Sequence, residues 1–100
     1  MNNLQYKFID QLKVLPFVDE IWLFGSRARG DNKDRSDIDL AILSPKANDK
    51  DWQQVRNIID NGDTLLKVDC VHFDKLCDNE KIKKNILECK KVIYKREIKS

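Results

Sequence analysis

The spacing of apolar residues changes period several times along the chain, and each change marks an element. Leu4, Phe8 and Leu12, with Ile9 and Leu15 beside them, recur at three to four residues, the spacing of one helix face. Asn2 or Asn3 is available to cap that helix, and Pro16 ends it. Residues 17–24 read as the first strand. Its end, Ile21-Trp22-Leu23-Phe24, is apolar at every position, which suits an inner strand covered on both faces. The run stops at Gly25-Ser26. Ser26–Arg29 has the length of one helical turn, with Gly30 as its stop, and residues 31–36 form a polar loop.

The second strand covers residues 37–43 and ends at Ser44-Pro45. Residues 46–51 read as polar linker. Trp52, Val55, Ile58 and Ile59 then mark an amphipathic helix that stops near Asn61-Gly62. A third strand covers residues 64–72, with Leu66, Val68 and Cys70 on one face and Lys67, Asp69 and Val71 on the other. Asp74 is placed to cap a short turn through Leu76-Cys77. Asp78 or Asn79 starts a further helix carrying Ile82, Ile86 and Leu87. Val92-Ile93-Tyr94 fits either one more helical turn or a short edge strand, and the segment from about residue 89 to 100 is a candidate for irregular or partner-facing structure.

Composition narrows the class. One hundred residues suffice for a single compact domain, and 41% hydrophobic with 36% charged residues suits a small globule. No apolar run approaches membrane-spanning length and no signal segment is evident, so a cytoplasmic protein is expected. Cys70, Cys77, Cys89 and the single histidine, His72, have no zinc-ligand spacing, and reduced cysteines are the simpler reading. A net charge of +2 does not announce a nucleic-acid binder, and direct nucleic-acid binding is not expected. The lysines from Lys81 to Lys99 form either a solvated face or a phosphate- or partner-facing surface.

The chemistry lies between Gly25 and Asp39. Asp37 and Asp39 alternate with Ile38 and Leu40, so both acids point to one face while the apolar side chains point into a core. Two carboxylates side by side repel and call for a cation. Hard oxygen ligands suit Mg²⁺, which completes its shell with water and phosphate oxygens. Gly25-Ser26 sits where a strand turns into a helix. There a glycine admits a phosphate to the backbone, and the helix start offers unpaired N–H groups. Asp69 interrupts an apolar strand, so it is either a third site carboxylate or an edge acid facing solvent or Lys67's neighbourhood. His72 reads as structural, without serine-nucleophile logic, and the absence of a lysine after Gly-Ser argues against a P-loop.

Gly25-Ser26, ten intervening residues and then Asp37-Ile38-Asp39 resembles the DNA polymerase β-like nucleotidyltransferase superfamily. The pattern is most similar to the minimal nucleotidyltransferases of prokaryotes, antitoxin partners of HEPN-domain toxins. The resemblance implies an α/β (α+β) fold, a small mixed sheet with helices packed on it in a single domain. It implies two Mg²⁺ ions held by Asp37, Asp39 and Asp69, which also form the catalytic set. ATP or another nucleoside triphosphate is the implied substrate, with Gly25 and Ser26 against its β- and γ-phosphates. Asp69 is implied on the acceptor side, helping to deprotonate a hydroxyl. Arg27 and Arg29 are candidate phosphate partners, ranked above Lys33, against a strong alternative in which they are solvated, contact the partner or pair with Asp31 or Asp34. Ser36, a loop-to-strand hydrogen-bonding residue, completes the nucleotide-binding set.

The implied reaction is transfer of a nucleoside monophosphate, AMP from ATP, to a hydroxyl of a helical HEPN-type partner protein. The chain leaves no room for a second domain, so a homo- or hetero-oligomer would complete the site. The alternatives are an idle antitoxin that neutralises its partner by contact, and a small-molecule transferase like the aminoglycoside-modifying relatives. Cys89-Lys90 stands where the family commonly has a glycine, a departure that touches the closing turn and not the acids.

Overall fold

The computed structural model describes residues 6–30, 37–77 and 80–96, with Ser26 described by its backbone alone. The expected loop of residues 31–36, with Ser36, Lys33, Asp31 and Asp34, lies outside the described residues. So do Asn2, Asn3, Leu4, Asp78, Asn79 and Lys99. The elements run α1 (Lys7–Lys13), β1 (Glu20–Phe24), α2 (Ser26–Arg29), β2 (Ile38–Leu43), α3 (Asp49–Asp60), β3 (Val68–His72), a 3-10 turn (Phe73–Lys75), α4 (Lys81–Cys89) and β4 (Lys91–Lys95).

The four strands form one mixed sheet in the order β3-β2-β1-β4. β1 is antiparallel to both of its neighbours, and β2 pairs parallel with β3. A parallel pair cannot be joined by a tight hairpin; the crossover here is the segment carrying α3. The first connection is short because β1 and β2 are antiparallel neighbours.

The sheet has two covered faces of unequal size. On one, Ile21 and Leu23 of β1 and Ile38, Leu40 and Ile42 of β2 pack against Phe8, Ile9 and Leu12 of α1 and Val55 of α3. Full burial of each such side chain contributes about 1.5–3 kcal/mol, so this layer dominates the stability. On the other face, Trp22, Phe24 and Ala41 pack against Ile86 of α4, with Phe73 edge-on to Trp22 at 4.8 Å. Lys90 stands 3.8 Å over the Trp22 ring. The four consecutive apolar residues of β1 are thus divided two and two between the layers, as an inner strand requires.

Several boundaries differ from the sequence expectation, each for a local reason. β1 starts at Glu20 and not at residue 17, because Val18 N–H donates to the Leu15 carbonyl and closes a turn. α3 starts at Asp49, three residues before Trp52. Asn48 Oδ1 accepts from Asp51 N–H at 2.8 Å and Asp51 Oδ2 accepts from Asn48 N–H at 3.1 Å, a reciprocal cap. β3 starts at Val68 and not at residue 64: Leu66 N–H donates to Thr64 Oγ1, which bends the chain, and Leu65 is fully exposed. The closing segment is an edge strand, Lys91–Lys95, tied back by Arg96 N–H to the Asp19 carbonyl at 2.8 Å.

The start of α1 is capped from far away. Tyr6 makes no side-chain cap, but the Asp63 carboxylate accepts from Lys7 N–H at 3.0 Å and from Phe8 N–H at 3.3 Å. These bonds hold the Asp63 carboxyl below its ordinary value. They also fasten α1 to the loop that follows α3.

Candidate active site

Three segments meet at one end of the sheet: the end of β1, the start of β2 and the first half of β3. Phe24 is the register partner of Asp39 across the antiparallel pair, and Asp39 is the register partner of Asp69 across the parallel pair. In-register residues on strands roughly 4.8 Å apart project from the same face. The face is the one carrying Phe24 and Ala41, toward the α4 layer, whereas Ile38 and Leu40 enter the larger core. Asp37 lies just before β2 and is exposed. Asp39, Asp69 and, by alternation, Asp37 thus belong to one face of the sheet.

The electrostatics follow from that register. Partial burial, then the charge of Asp69, then that of Asp37 raise the Asp39 carboxyl above its ordinary value, against the pull of Arg29 and Lys67. Lys67 Nζ lies 3.8 Å from Asp69 Oδ1. Both groups are substantially exposed, so that pair is weak. A groove of about 480 Å³ along the edge of β3 is lined by Phe24, Asp39, Asp69, Arg56, Lys67 and Ile82 among others.

Gly25 and Asp39 fit one another closely. Gly25 has φ +75°, a conformation that other residues rarely adopt. A β-carbon there would run into the Asp39 carboxylate and sit 3.2 Å from its carboxyl carbon. Ala28 and Arg29 N–H groups both donate to the Gly25 carbonyl at 3.1 Å, which winds α2 directly from the turn. Gly30, at φ +82°, stops it. The backbone turn and the carboxylate therefore meet with no side chain between them.

The donor set suits a hard divalent cation. Two or three carboxylates on one face repel each other, and a cation relieves the repulsion that raises Asp39. Among the described residues no three His, Cys, Asp or Glu side chains are arranged to hold an ion unaided. A bound ion would complete its shell from water and phosphate oxygens, as Mg²⁺ ordinarily does.

Of the residues singled out in the sequence, Gly25, Asp37, Asp39 and Asp69 converge. Arg29 is near enough to act on Asp39, and Arg27 lies partly buried on α2. The Ser26 backbone opens α2. Arg56 of α3 and Ile82 of α4 were not foreseen, because they enter from other elements and no spacing along the chain connects them to the acids. Lys67 sits two residues from Asp69, a period-two signal that was legible.

His72 is structural, as expected. It stacks on Trp52 at 4.4 Å, and its Nε2 lies 2.9 Å from Ser44 Oγ. Asp74 accepts from Ser44 N–H at 2.6 Å instead of capping the turn that follows it. Ser44 is fully buried, so this cluster is no nucleophile site despite its composition. Burial pushes the Cys70 thiol up to about 12, which makes it a poor metal ligand.

Residues 6–99 match the family model described as "Polymerase beta, Nucleotidyltransferase". Among solved structures, the chain is similar to one from a toxin–antitoxin crystallised with AMP-PNP, with a TM-score of 0.62 and 22% identity over 91% of this chain and 73% of that one. It is also similar to a provisionally assigned nucleotidyltransferase from Sulfolobus solfataricus, with a TM-score of 0.59 and 25% identity over 90% of this chain and 76% of that one. A search of curated proteins gives no match. Among the described residues no helix is long and apolar enough to cross a membrane.

Two predictions follow from the Gly25–Asp39 contact and the acid pair. Gly25→Ala combines backbone strain of about 1–2 kcal/mol with the clash against Asp39. It should lower Tm by about 4 °C or more, whereas Gly30→Ala, with nothing within 4 Å of the added carbon, should lower it less. Equal melting curves for the two variants would contradict a clash at Gly25. The second concerns pH. A raised Asp39 pKa means that the folded state holds this proton more tightly than the unfolded chain, so stability falls as pH rises through the carboxylate range. In chelator at pH 7, Asp39→Asn should melt higher than wild type, and the gap should close at acid pH. An Asn variant less stable at pH 7 would mean that hidden donors favour the charged form.

Proposed function

The chain belongs to the "Polymerase beta, Nucleotidyltransferase" family, and from that premise we propose that it transfers AMP from ATP, with Mg²⁺, to a hydroxyl of a partner protein. The partner in this reading is a helical HEPN-type toxin, and the chain is its antitoxin. The observation that carries the proposal is the in-register pair Asp39 and Asp69 beside a side-chain-free turn at Gly25. A binding module has no need to hold two like charges together on a sheet at a cost in stability. The toxin–antitoxin neighbour crystallised with AMP-PNP shares this fold, which is consistent with the direction of the reading.

In this mechanism Asp37, Asp39 and Asp69 would hold the divalent ions. When bound, the ions neutralise the charge on the entering and departing oxygens. Gly25, lacking a side chain, lets the triphosphate approach the backbone next to Asp39, and the start of α2 faces the β- and γ-phosphates. Asp69 sits on the acceptor side, where its carboxylate takes the proton of the attacking hydroxyl. The acceptor oxygen bonds to the α-phosphorus, the bond from that phosphorus to the bridging oxygen breaks, and pyrophosphate leaves with the electron pair. Ser36 joins Gly25 and Ser26 in the nucleotide-binding set.

A second reading is favoured by one observation. Lys67 Nζ lies beside Asp69 Oδ1, and an acid that meets a lysine in place of a metal would suit an antitoxin that acts by contact. The experiment that separates the two uses purified protein, Mg²⁺ and ATP labelled at the α-phosphate, added to an extract of the source cells. The expected result is a labelled protein band that Asp37→Asn or Asp39→Asn reduces by about a hundredfold or more, since removing charge stabilisation at a reacting centre costs on the order of 10²–10³ in rate. Label that persists undiminished in both variants, or no transfer from any of the four nucleotides in the presence of the partner, would contradict the proposal.

A further inference from the structure

α4 crosses the carboxylate face of the sheet. Ile86 packs on Trp22, Phe24 and Ala41, and Ile82, one turn earlier, lines the groove that holds Asp39 and Asp69. The first turn of α4 thus lies beside the acids, with an opening on each side of the helix. The opening toward β3 is mixed in character, with Phe24 and Ile82 next to the acids. The other lies between α4 and α2. It is a hollow of about 440 Å³ lined by Arg29, Lys81, Lys84, Asn85, Glu88 and Cys89.

Lys81, Lys84, Asn85 and Glu88 stand three, four and seven residues apart, so they form one stripe of the helix, and that stripe faces α2. Neighbouring lysines are directed elsewhere: Lys83 stands 5.3 Å over the Phe73 ring and Lys90 stands 3.8 Å over Trp22. Lys81 and Lys84 therefore bring two positive charges opposite Arg29, whose own charge reaches Asp39. Glu88 lies one turn beyond Lys84, so the potential in the hollow grows more positive toward Lys81. That is also the end of the helix nearest Ile82 and the acids, and the positive end of the α4 dipole adds to it.

Resting on the nucleotidyltransferase reading, we infer that the α2–α4 hollow is a pyrophosphate subsite. In it Lys81 and Lys84, with Arg29 across from them, hold the β- and γ-phosphates of the nucleotide and then the departing pyrophosphate. As the bond between the α-phosphorus and the bridging oxygen breaks, negative charge collects on the β-phosphate, and the two ammonium groups stabilise it there. Glu88 excludes the anion from the far end of the hollow. The nucleoside and the acceptor hydroxyl are left to the β3 side, against Phe24, Ile82 and Asp69. The basic stripe of α4 is thereby a working part of the site, and not only a solvated face.

The test is a binding titration of the full chain, in Mg²⁺, with ATP, inorganic pyrophosphate and AMP. Lys81→Ala/Lys84→Ala should weaken ATP and pyrophosphate by roughly tenfold or more, the size of lost hydrogen bonds to charged groups, and leave AMP unchanged. Lys81→Arg/Lys84→Arg should restore much of the loss. Lys83→Ala, which alters the same helix outside the hollow, should change none of the three. Circular dichroism of each variant checks that α4 is intact. An equal loss for AMP and ATP would overturn the inference, since it would mean that the lysines only position the helix. Asp39-dependent ATP binding that is indifferent to Lys81 and Lys84 would also overturn it, while leaving the nucleotidyltransferase reading standing. No binding of ATP or pyrophosphate by the wild-type chain would bring down both.

Discussion

Repulsion between Asp39 and Asp69 is the constraint around which this molecule is arranged. The two carboxylates are register partners on adjacent parallel strands, so the backbone ladder fixes them side by side whatever their charge. Partial burial of Asp39 is the largest cost to its charge, and the charges of Asp69 and then Asp37 add to it. A fold that only had to be stable would place neutral or alternating charges there, since like charges directly opposite one another weaken a sheet. The larger core offsets the cost: Phe8, Leu12, Ile21, Leu23, Leu40 and Val55 are all buried in it, on the opposite face from the acids. Stability and chemistry are divided between the two sides of one sheet.

The topology makes that division possible. Parallel pairing of β2 and β3 requires a crossover, and α3 in that crossover seals the apolar face. The short connection from β1 to β2 brings the Gly25 turn back against Asp39. Among the described residues, α4 and the Phe73 turn cover the acid face, and they cover Trp22 and Ala41 more fully than the end where the acids stand. The basic side chains Arg29, Lys81 and Lys84 gather between α2 and α4, beside that end.

Much of this was legible in the sequence, and what was not has physical reasons. Alternation at Asp37-Ile38-Asp39-Leu40 assigns the acids to one face and the aliphatic residues to the other without reference to any partner strand. The four apolar residues ending at Phe24 marked β1 as an inner strand for the same kind of reason. Boundaries were harder, because they depend on single hydrogen bonds. The Asn48–Asp51 cap extended α3 by a turn into residues that read as linker, and Thr64 bent a stretch that reads as strand. Contacts between elements distant in sequence were beyond reach. Neither the Asp63 cap on α1, nor the Ser44–His72–Asp74 cluster, nor the approach of α4 to Arg29 has a periodicity that could announce it. The edge-strand alternative for Val92-Ile93-Tyr94 was realised by pairing with β1, a tertiary outcome that local propensity did not decide.

The most direct test of the central claim is a crystal structure grown with Mn²⁺ and a non-hydrolysable ATP analogue, with anomalous data collected at the manganese edge. The account predicts strong anomalous peaks in contact with the carboxylates of Asp39 and Asp69, with triphosphate oxygens completing the shell beside Gly25. An ordered triphosphate with no cation at those acids, or Mn²⁺ bound only elsewhere on the chain, would contradict it.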